Sequence, residues 1–207
     1  LTAVGEPVSS GGVERASPAL RDDLLYVANK GDGSSLPSYV GFRVAADGTL
    51  ARAKRRALNP GDNPTQVLFS PDGGLLIGMR FGAGAIDTFR VKSNTKLKSL
   101  GALGNQRGPF AAIFNPTADN HLIVSDARLP GAAAYFIGGQ REAVAVNSVS
   151  NTPERAACWI TVHRNGQSAW VANTGTNSIS LYTINGNGSI ALASTHSTVG
   201  FGRTPFE

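Results

Sequence analysis

Several residue types and patterns are scarce in this sequence, and each absence narrows the class of protein. The 207 residues include one cysteine, Cys158, which excludes an internal disulfide framework. No apolar run approaches the ~18 residues of a membrane-spanning helix, and no stretch repeats its apolar residues at the helical period of about 3.6. Charged residues make up 16% of the chain against 41% for apolar residues, a balance that argues against disorder.

Turn-forming residues, in contrast, are abundant, with 25 glycines and 11 prolines. The segment Cys158–Leu192 predicts four short strands separated by three turns. One turn holds Asn165-Gly166, a pair that accepts the positive φ of a tight hairpin. The four strands would form an antiparallel meander, and because such a unit cannot bury both faces alone, it predicts copies of itself beside it. We interpret Cys158, in an innermost strand, as a buried and unreactive thiol.

Two independent markers repeat along the chain at one period. An aromatic residue late in the third strand recurs at intervals of 47, 47 and 46 residues, at Phe42, Phe89, Phe136 and Tyr182. An apolar residue at the start of the fourth strand recurs at the same intervals, at Leu50, Leu97, Val144 and Ile190. A period in the mid-forties with four strands per repeat is typical of a β-propeller blade. The sequence therefore predicts an all-β protein, a β-propeller of four-stranded antiparallel blades, with four full repeats plus one outer strand.

The whole chain, 1–207, is one β-propeller region in this prediction. Residues 1–14 are expected to be the outer strand of a preceding blade, because Leu1–Val8 matches the fourth-strand segment Ser189–Thr195. Four blades and the start of another follow, at 15–60, 61–108, 109–155, 156–203 and 204–207. An open arc of four blades would leave strand edges unpaired. We therefore expect a piece of a longer chain, with a proteolytic fragment or a dimer of two partial propellers as alternatives.

Short motifs at equivalent places in the blades include Val67–Gly73, Trp170–Gly175 and Tyr26–Asn29. They resemble the blade motifs of the lactonase-type seven-bladed β-propellers, a family that includes 6-phosphogluconolactonase-like and carboxy-muconate cyclase-like proteins. The likeness to secreted members extends to three more segments, Ser9–Gly12, Gly108–Phe110 and Ala156–Trp159. The resemblance implies a seven-bladed parent protein and a secreted or extracellular location. It specifies the fold and leaves the reaction open.

The loops at one end of each blade are the expected place for a ligand, because the central channel of a propeller opens between them. These loops join the second strand to the third, and the fourth strand to the next blade. Five arginines fall in them and together would form a site for a carboxylate or phosphate group. They are Arg80, Arg107, Arg128, Arg155 and Arg203.

Acidic and amide side chains fall in the same loops. Asp126 or Glu154 would act as the acid or base in opening or closing a lactone ring, and Arg155, next to Glu154, completes the catalytic candidates. The other four arginines are assigned to substrate binding, together with Asn29 and Asn173. The alternative interpretation is that the arginines are solvated and pair with Asp126, Glu154 and backbone carbonyl groups.

The three histidines fall outside these loops. His163 lies in a turn on the opposite face, His121 opens a second strand and His196 lies on an outer strand. The lactonizing enzyme of the resembled family is thought to use a histidine with arginines and a glutamate. Because no histidine of this chain falls in these loops, the resemblance does not identify a general base here. No set of His, Asp, Glu or Cys has the spacing of metal ligands, so we predict no metal and no cofactor.

The net charge of +5 would suit an anionic ligand if the cations lie together. Four of them, Arg52, Lys54, Arg55 and Arg56, lie on one predicted outer strand. We interpret this run as protection of a strand edge against pairing. Because no aromatic residues interleave with it, we predict no nucleic-acid partner, and we predict no membrane partner either.

Two functions from different classes remain open. The first is an enzyme, a lactonase or cycloisomerase that acts without a metal on a small carboxylated or lactone substrate. The second is a binding propeller without catalysis, which would use the same loop face for a glycan, a peptide or a partner protein. The predicted partners therefore include a small anionic molecule or a glycan, and the arginines suit either function.

Overall fold

A computed structural model describes residues 4–92, 95–104, 108–138, 143–151 and 153–198. Within these ranges the chain forms sixteen β-strands and no helix, and therefore no helix that could cross a membrane. The strands group into four sheets, each made of four consecutive strands in antiparallel order. This arrangement confirms the predicted all-β fold with four propeller blades.

Each blade contains its strands in chain order, with the first strand innermost and the fourth outermost. The first two blades consist of β1 (Arg15–Arg21), β2 (Leu24–Asn29), β3 (Ser38–Val44), β4 (Leu50–Ala57), β5 (Pro64–Phe69), β6 (Leu75–Arg80), β7 (Ala85–Val91) and β8 (Leu97–Leu103). The other two consist of β9 (Pro109–Asn115), β10 (Ala118–Asp126), β11 (Gly131–Ile137), β12 (Ala143–Ser150), β13 (Ala157–Val162), β14 (Ser168–Asn173), β15 (Ser178–Ile184) and β16 (Ile190–Ser197). Neighbouring blades contact each other most closely through β1, β5, β9 and β13.

The apolar core lies between the blades in three separate clusters. Tyr39 of the first blade packs with Leu76 of the second, whereas Leu75 and Ile77 pack on the third. A third cluster, which includes Tyr182, fills the space between the third and fourth blades. Because side chains alternate along a strand, the continuous apolar run of β6 supplies both faces of the second blade. The middle strands therefore bury their side chains on both sides, as strands in the centre of a layered fold do.

The third blade departs by one residue from the markers that the sequence suggested. The residues at the marker positions are Tyr135 and Ala143, which are both buried, so the intervals are 47, 46 and 47 residues. Phe136, the predicted marker, lies on the opposite side of β11 and packs on His121 at 5.1 Å between ring centroids. Val144 is exposed. A shift of one residue moves a side chain to the other face of a sheet, so two adjacent aromatic residues cannot be told apart by spacing alone.

The segment before the first blade contains bends and no strand over residues 4–14. A strand completes its hydrogen bonds only with a neighbouring strand. Next to β1 the Lys30 and Gly31 N–H groups donate to the Glu14 and Val13 carbonyls at 3.0 and 3.3 Å, but residues 4–12 have no strand partner among the described residues. Ser10 Oγ instead donates a hydrogen bond of 2.7 Å to Asn29 Oδ1, which ties the segment to the first blade. Residues 204–207 lie outside the described residues, and the predicted blade boundaries remain predictions.

Gly78 in β6 permits the closest contact between the first two blades. A Cβ at this position would lie 2.6 Å from Tyr39 Cζ, and closer still to the hydroxyl group. Gly78→Ala would push the tyrosine away and weaken its hydrogen bond to Asp87. We expect the free energy of unfolding to fall by about 1–3 kcal/mol, the usual cost of overpacking, as measured by urea denaturation.

Gly186→Ala is the matched control, because a Cβ there would meet no heavy atom within 4 Å. Its free energy of unfolding should change by less than about 0.5 kcal/mol. Equal stability of the two variants would show that Tyr39 does not lie against Gly78 as described.

Candidate functional site

The two predicted sets of loops meet at one end of every blade, which we call the mouth. The Gly82 N–H donates to the Asp62 carbonyl at 2.9 Å, and the Ala127 N–H donates to the Gly108 carbonyl at 2.9 Å. In the first blade the Lys30 N–H donates to the Glu14 carbonyl at 3.0 Å, and in the fourth the Thr174 N–H donates to the Ala156 carbonyl at 3.1 Å. The loops that join strands two and three therefore lie beside the loops that enter each blade.

Each innermost strand carries a β-bulge next to the mouth. The register shifts lie between Arg15 and Ser17 in β1 and between Pro64 and Gln66 in β5. In β9 and β13 the corresponding extra residues fall between Pro109 and Ala112 and between Ala157 and Ile160. Bulges change the direction of side chains and are frequent near active sites. In the third and fourth blades they contain Phe110 and Trp159.

Three aromatic rings from three loops or strands lie in contact at the mouth, and we call Phe81, Phe110 and Trp159 the aromatic row. Phe81 and Phe110 meet edge to face at 6.3 Å between ring centroids, and Phe110 and Trp159 at 6.0 Å. Arg128 Cζ lies 4.5 Å from the centroid of Phe81, within cation–π range. Trp159 is 40% exposed. The row therefore offers a ring face beside a guanidinium group.

Arg80 is held by two carboxylates at the mouth of the second blade. Its Nε and Nη2 donate to Asp87 Oδ2 and Oδ1 at 2.8 and 2.9 Å, and its Nη1 donates to Asp62 Oδ1 at 3.1 Å. Tyr39 Oη also donates to Asp87, at 3.3 Å. The Arg80 side chain is 15% exposed and each carboxylate side chain 7%. Burial raises the pKa of Asp87, while the bonds from Arg80 oppose this shift.

Glu154 and Arg155 lie together at the mouth of the fourth blade. The hydroxyl groups of Thr176 and Ser178 both donate to Glu154 Oε2. The backbone N–H of Arg155 donates to Thr176 Oγ1 at 3.3 Å, and the residue is exposed. Two hydroxyl donors on one oxygen hold the carboxylate in place, and Arg155 follows it directly in the chain. The predicted catalytic candidates Glu154 and Arg155 are therefore both located at the mouth, and their catalytic role stays a prediction.

Asp126 has a different role from Glu154. Its Oδ1 accepts hydrogen bonds from the backbone N–H groups of Arg128 at 3.1 Å and Leu129 at 3.0 Å. This pattern is that of an Asx-turn, in which the side chain replaces a backbone acceptor. Asp126 therefore shapes the loop that brings Arg128 over the aromatic row.

Asn29 and Asn173 occupy equivalent positions at the ends of β2 and β14, and both are fully buried. Asn173 Nδ2 donates to Ser178 Oγ at 3.0 Å and to Ser180 Oγ at 2.7 Å. Its Oδ1 has no hydrogen-bond partner among the described residues. Because both amides are buried, a ligand at the mouth would not touch them. Their hydrogen bonds support the loops around them.

Two predicted site residues, Arg107 and Arg203, lie outside the described residues. Cys158 is buried, its Sγ lies 3.3 Å from Thr174 Oγ1, and burial raises the pKa of its thiol. These properties agree with the predicted unreactive thiol. The described part of the chain contains no group of three or more His, Cys, Asp or Glu residues that could hold a metal ion.

Comparisons with solved structures identify related architectures. No protein-family model matches the sequence, and no curated protein matches it. A provisionally assigned 6-phosphogluconolactonase from Bacteroides uniformis superposes with a TM-score of 0.79 at 20% identity, over 91% of this chain and 59% of that one. The periplasmic gluconolactonase of Pseudomonas aeruginosa gives a TM-score of 0.78 at 17% identity, again over 91% and 59%.

The chain has the fold of the lactonase-type β-propellers. It spans 59% of the length of each of these two proteins. The hydrazine synthase of Kuenenia stuttgartiensis also matches, with a TM-score of 0.68 at 16% identity over 87% of this chain and 54% of that one. Because one fold supports different chemistries, the function has to be argued from the mouth of this propeller.

The cluster of Arg80 with Asp62 and Asp87 generates a stability prediction. Asp87→Ala would leave the buried guanidinium group with one carboxylate instead of two, and Tyr39 would lose its acceptor. Removing one partner of a buried ion pair leaves the other charge buried and uncompensated. We expect the free energy of unfolding to fall by about 3 kcal/mol, as measured by urea denaturation at neutral pH.

The matched control is Asp23→Ala, which removes the carboxylate of an exposed pair with Arg43. Exposed pairs contribute about 0–1 kcal/mol, so this variant should unfold almost like the parent protein. A loss in Asp87→Ala that is no larger than the loss in Asp23→Ala would contradict the structural role of the cluster.

Proposed function

We propose that the protein is a lactonase-type enzyme that opens a small lactone carrying an anionic group, or closes such a ring from a carboxylated substrate. The observation that carries the proposal is the placement of Glu154, held by two hydroxyl groups, beside the exposed Arg155 at the mouth. Support also comes from the fold, because two of the matching structures are described as lactonases. The periplasmic location of one of them supports a location outside the cytoplasm.

The proposed reaction is hydrolysis of the ring ester. The Glu154 carboxylate takes a proton from a water molecule, whose oxygen attacks the lactone carbonyl carbon. Arg155 stabilises the negative charge that develops on the carbonyl oxygen. The ring C–O bond then breaks, and the proton on Glu154 passes to the departing ring oxygen. Lactone and water give one hydroxy acid, so the reaction calls for no metal or redox cofactor.

Glu154 is a better general base than Asp126. A base must have a carboxylate oxygen that can reach a water molecule, and both carboxylates accept their two hydrogen bonds on one oxygen only. They differ in their donors, which for Glu154 are side-chain hydroxyl groups. Asp126 is bound instead to the backbone of its own loop, so moving it would disturb the turn. In the proposal Asp126 therefore positions Arg128 and takes no proton.

The aromatic row gives the substrate ring a place to bind. The apolar face of a sugar-like ring would pack on Trp159, which is the most exposed of the three rings. Arg128, fixed over Phe81, would bind a carboxylate or phosphate group on the substrate. Arg80, already bonded to Asp62 and Asp87, would contribute through the shape of the mouth and not through a direct ion pair.

The aromatic row also favours the second candidate function, a binding propeller without catalysis. An exposed tryptophan beside guanidinium groups can hold an anionic glycan without any reacting group. This alternative requires the row and Arg128 but does not require Glu154. The two functions therefore differ in their dependence on a single carboxylate.

Turnover of aldonic acid δ-lactones, with and without a phosphate group, tests the enzyme. We expect proton release above the uncatalysed rate, retained after treatment with a chelator. Glu154→Gln should lower kcat/KM by about 100-fold or more, because a general base contributes at least that much. Arg155→Ala should lower it by about 100-fold through the loss of charge stabilisation.

Arg164→Ala is the control, since this exposed arginine of the same blade lies in a turn on the opposite face. Its activity should equal that of the parent protein. Turnover that is insensitive to both Glu154→Gln and Arg155→Ala would eliminate the proposed mechanism. Absence of turnover, combined with saturable quenching of tryptophan fluorescence that Arg128→Ala abolishes, would favour the binding propeller.

A further inference from the structure

A cavity of about 390 Å³ opens between the outer strands of the first two blades, away from the aromatic row. Four cationic side chains line it, and none of its lining residues is acidic. We call these four cations the basic cleft, and they are Lys54, Arg55, Arg56 and Lys96. The volume is that of a small-molecule site, so the charge is concentrated around a discrete space.

A β-bulge in β4 explains how neighbouring residues reach the same cavity. Val40 pairs with Arg55 and Phe42 with Arg52, so Ala53 and Lys54 together lie opposite Gly41. Consecutive side chains of a regular strand point to opposite faces, whereas a bulge re-aims them. Lys54, Arg55 and Arg56 all line the cavity. The bulge re-aims Lys54, whereas Arg55 and Arg56 pair in regular register with Val40 and Tyr39.

The rear of the basic cleft is held by two hydrogen bonds and a ring contact. Tyr26 Oη donates to the Thr95 carbonyl at 2.6 Å, which fixes the position of the β7–β8 hairpin that carries Lys96. Arg55 Nη2 donates to the Leu36 carbonyl at 2.9 Å. Arg56 Cζ lies 4.9 Å from the ring centroid of Phe89. Arg55 is thus positioned by a neutral carbonyl group, whereas Arg56 rests on a neutral ring and also lies within electrostatic range of the buried Asp87 carboxylate.

The other three blades provide an internal comparison. They have the same bulge in their outer strands, at Thr88/Phe89, Ala134/Tyr135 and Leu181/Tyr182 of the paired third strands. The residues equivalent to Lys54, Arg55 and Arg56 include no lysine or arginine. They are Gly101, Ala102 and Leu103, then Asn147, Ser148 and Val149, and finally Ser194, Thr195 and His196.

This comparison argues against edge protection as the full explanation of the basic run. Protection against strand pairing is needed on every outer strand, yet only β4 carries three adjacent cations at this position. Edge protection also does not account for Lys96, which comes from the neighbouring blade and completes the cavity. Concentrated cations on two adjoining elements are instead what an anion-binding site requires.

We propose that the basic cleft binds a small, multiply charged oxyanion, namely a phosphate or sulfate group. The guanidinium fork of Arg55 or Arg56 suits two oxygens of such a group, and Lys54 and Lys96 would supply point charges on either side. The enclosed volume favours a small ligand over a linear polymer, which would follow an extended stripe. This site is independent of the Glu154–Arg155 pair and of the proposed lactonase activity.

Calorimetric titration with inorganic pyrophosphate tests the proposal. We expect saturable binding with one site per chain, weakened by salt. The double variant Lys54→Gln/Arg55→Gln removes two charge-assisted contacts and should weaken binding by about tenfold or more. These two side chains are exposed, and the thermal unfolding midpoint without pyrophosphate checks that the variant is folded.

The control double variant, Arg90→Gln/Lys98→Gln, removes the same charge from the second blade outside the cavity lining. It should weaken binding by no more than about twofold, because neither side chain lines the cavity and the attraction of exposed charges is screened by salt. Equal weakening in both double variants would overturn the proposal, since it would indicate attraction by net charge alone. Binding of heparin without saturable binding of pyrophosphate would also overturn it, in favour of a polyanion surface.

Discussion

The packing of each blade against its neighbours is the constraint on which the rest of the structure depends. A sheet with two apolar faces exposes both unless another layer covers each of them. Leu75 and Ile77 face the third blade, whereas Leu76 between them faces the first. A strand in such a position must be apolar without interruption, and β6 is buried from Leu75 to Met79. Once the blades stack in this way, their loops gather at a common mouth.

The stacked blades fix where the side chains of the mouth lie, and the chemistry of each side chain decides its role. The last residues of the four second strands are equivalent by register, and they are Asn29, Arg80, Asp126 and Asn173. Arg80 bonds to two carboxylates, Asp126 to backbone amides and Asn173 to two serines. Three equivalent positions thus stabilise the mouth in three different ways. The residues that stay exposed beside them, Arg128, Arg155 and Trp159, are the ones to which we assign a ligand.

The repeat made the fold predictable from the sequence, because a period in the mid-forties can still be recognised when one marker residue is misplaced by one position. It did not fix the register of the third blade, where Tyr135 and Phe136 are adjacent aromatics and only burial distinguishes them. The sequence indicates Arg80 as a residue of a mouth loop, but its partner Asp87 is evident only from the β6–β7 pairing. The aromatic row was missed because two of its rings, Phe110 and Trp159, are directed by bulges. A bulge depends on backbone pairing, for which spacing carries little signal.

Repetition also supplies a physical criterion for separating structural residues from functional ones. Four blades with the same strand order and the same bulges face the same demands of packing and edge protection, so a feature required by those demands should occur in all four. The buried aromatic residue represented by Phe42 and Tyr182 meets this test and is structural. The cations of the basic cleft fail it, because equivalent bulges elsewhere carry small, polar or apolar residues. Charge that one blade carries and its copies lack has to be explained by something outside the blade, and a bound anion provides that explanation.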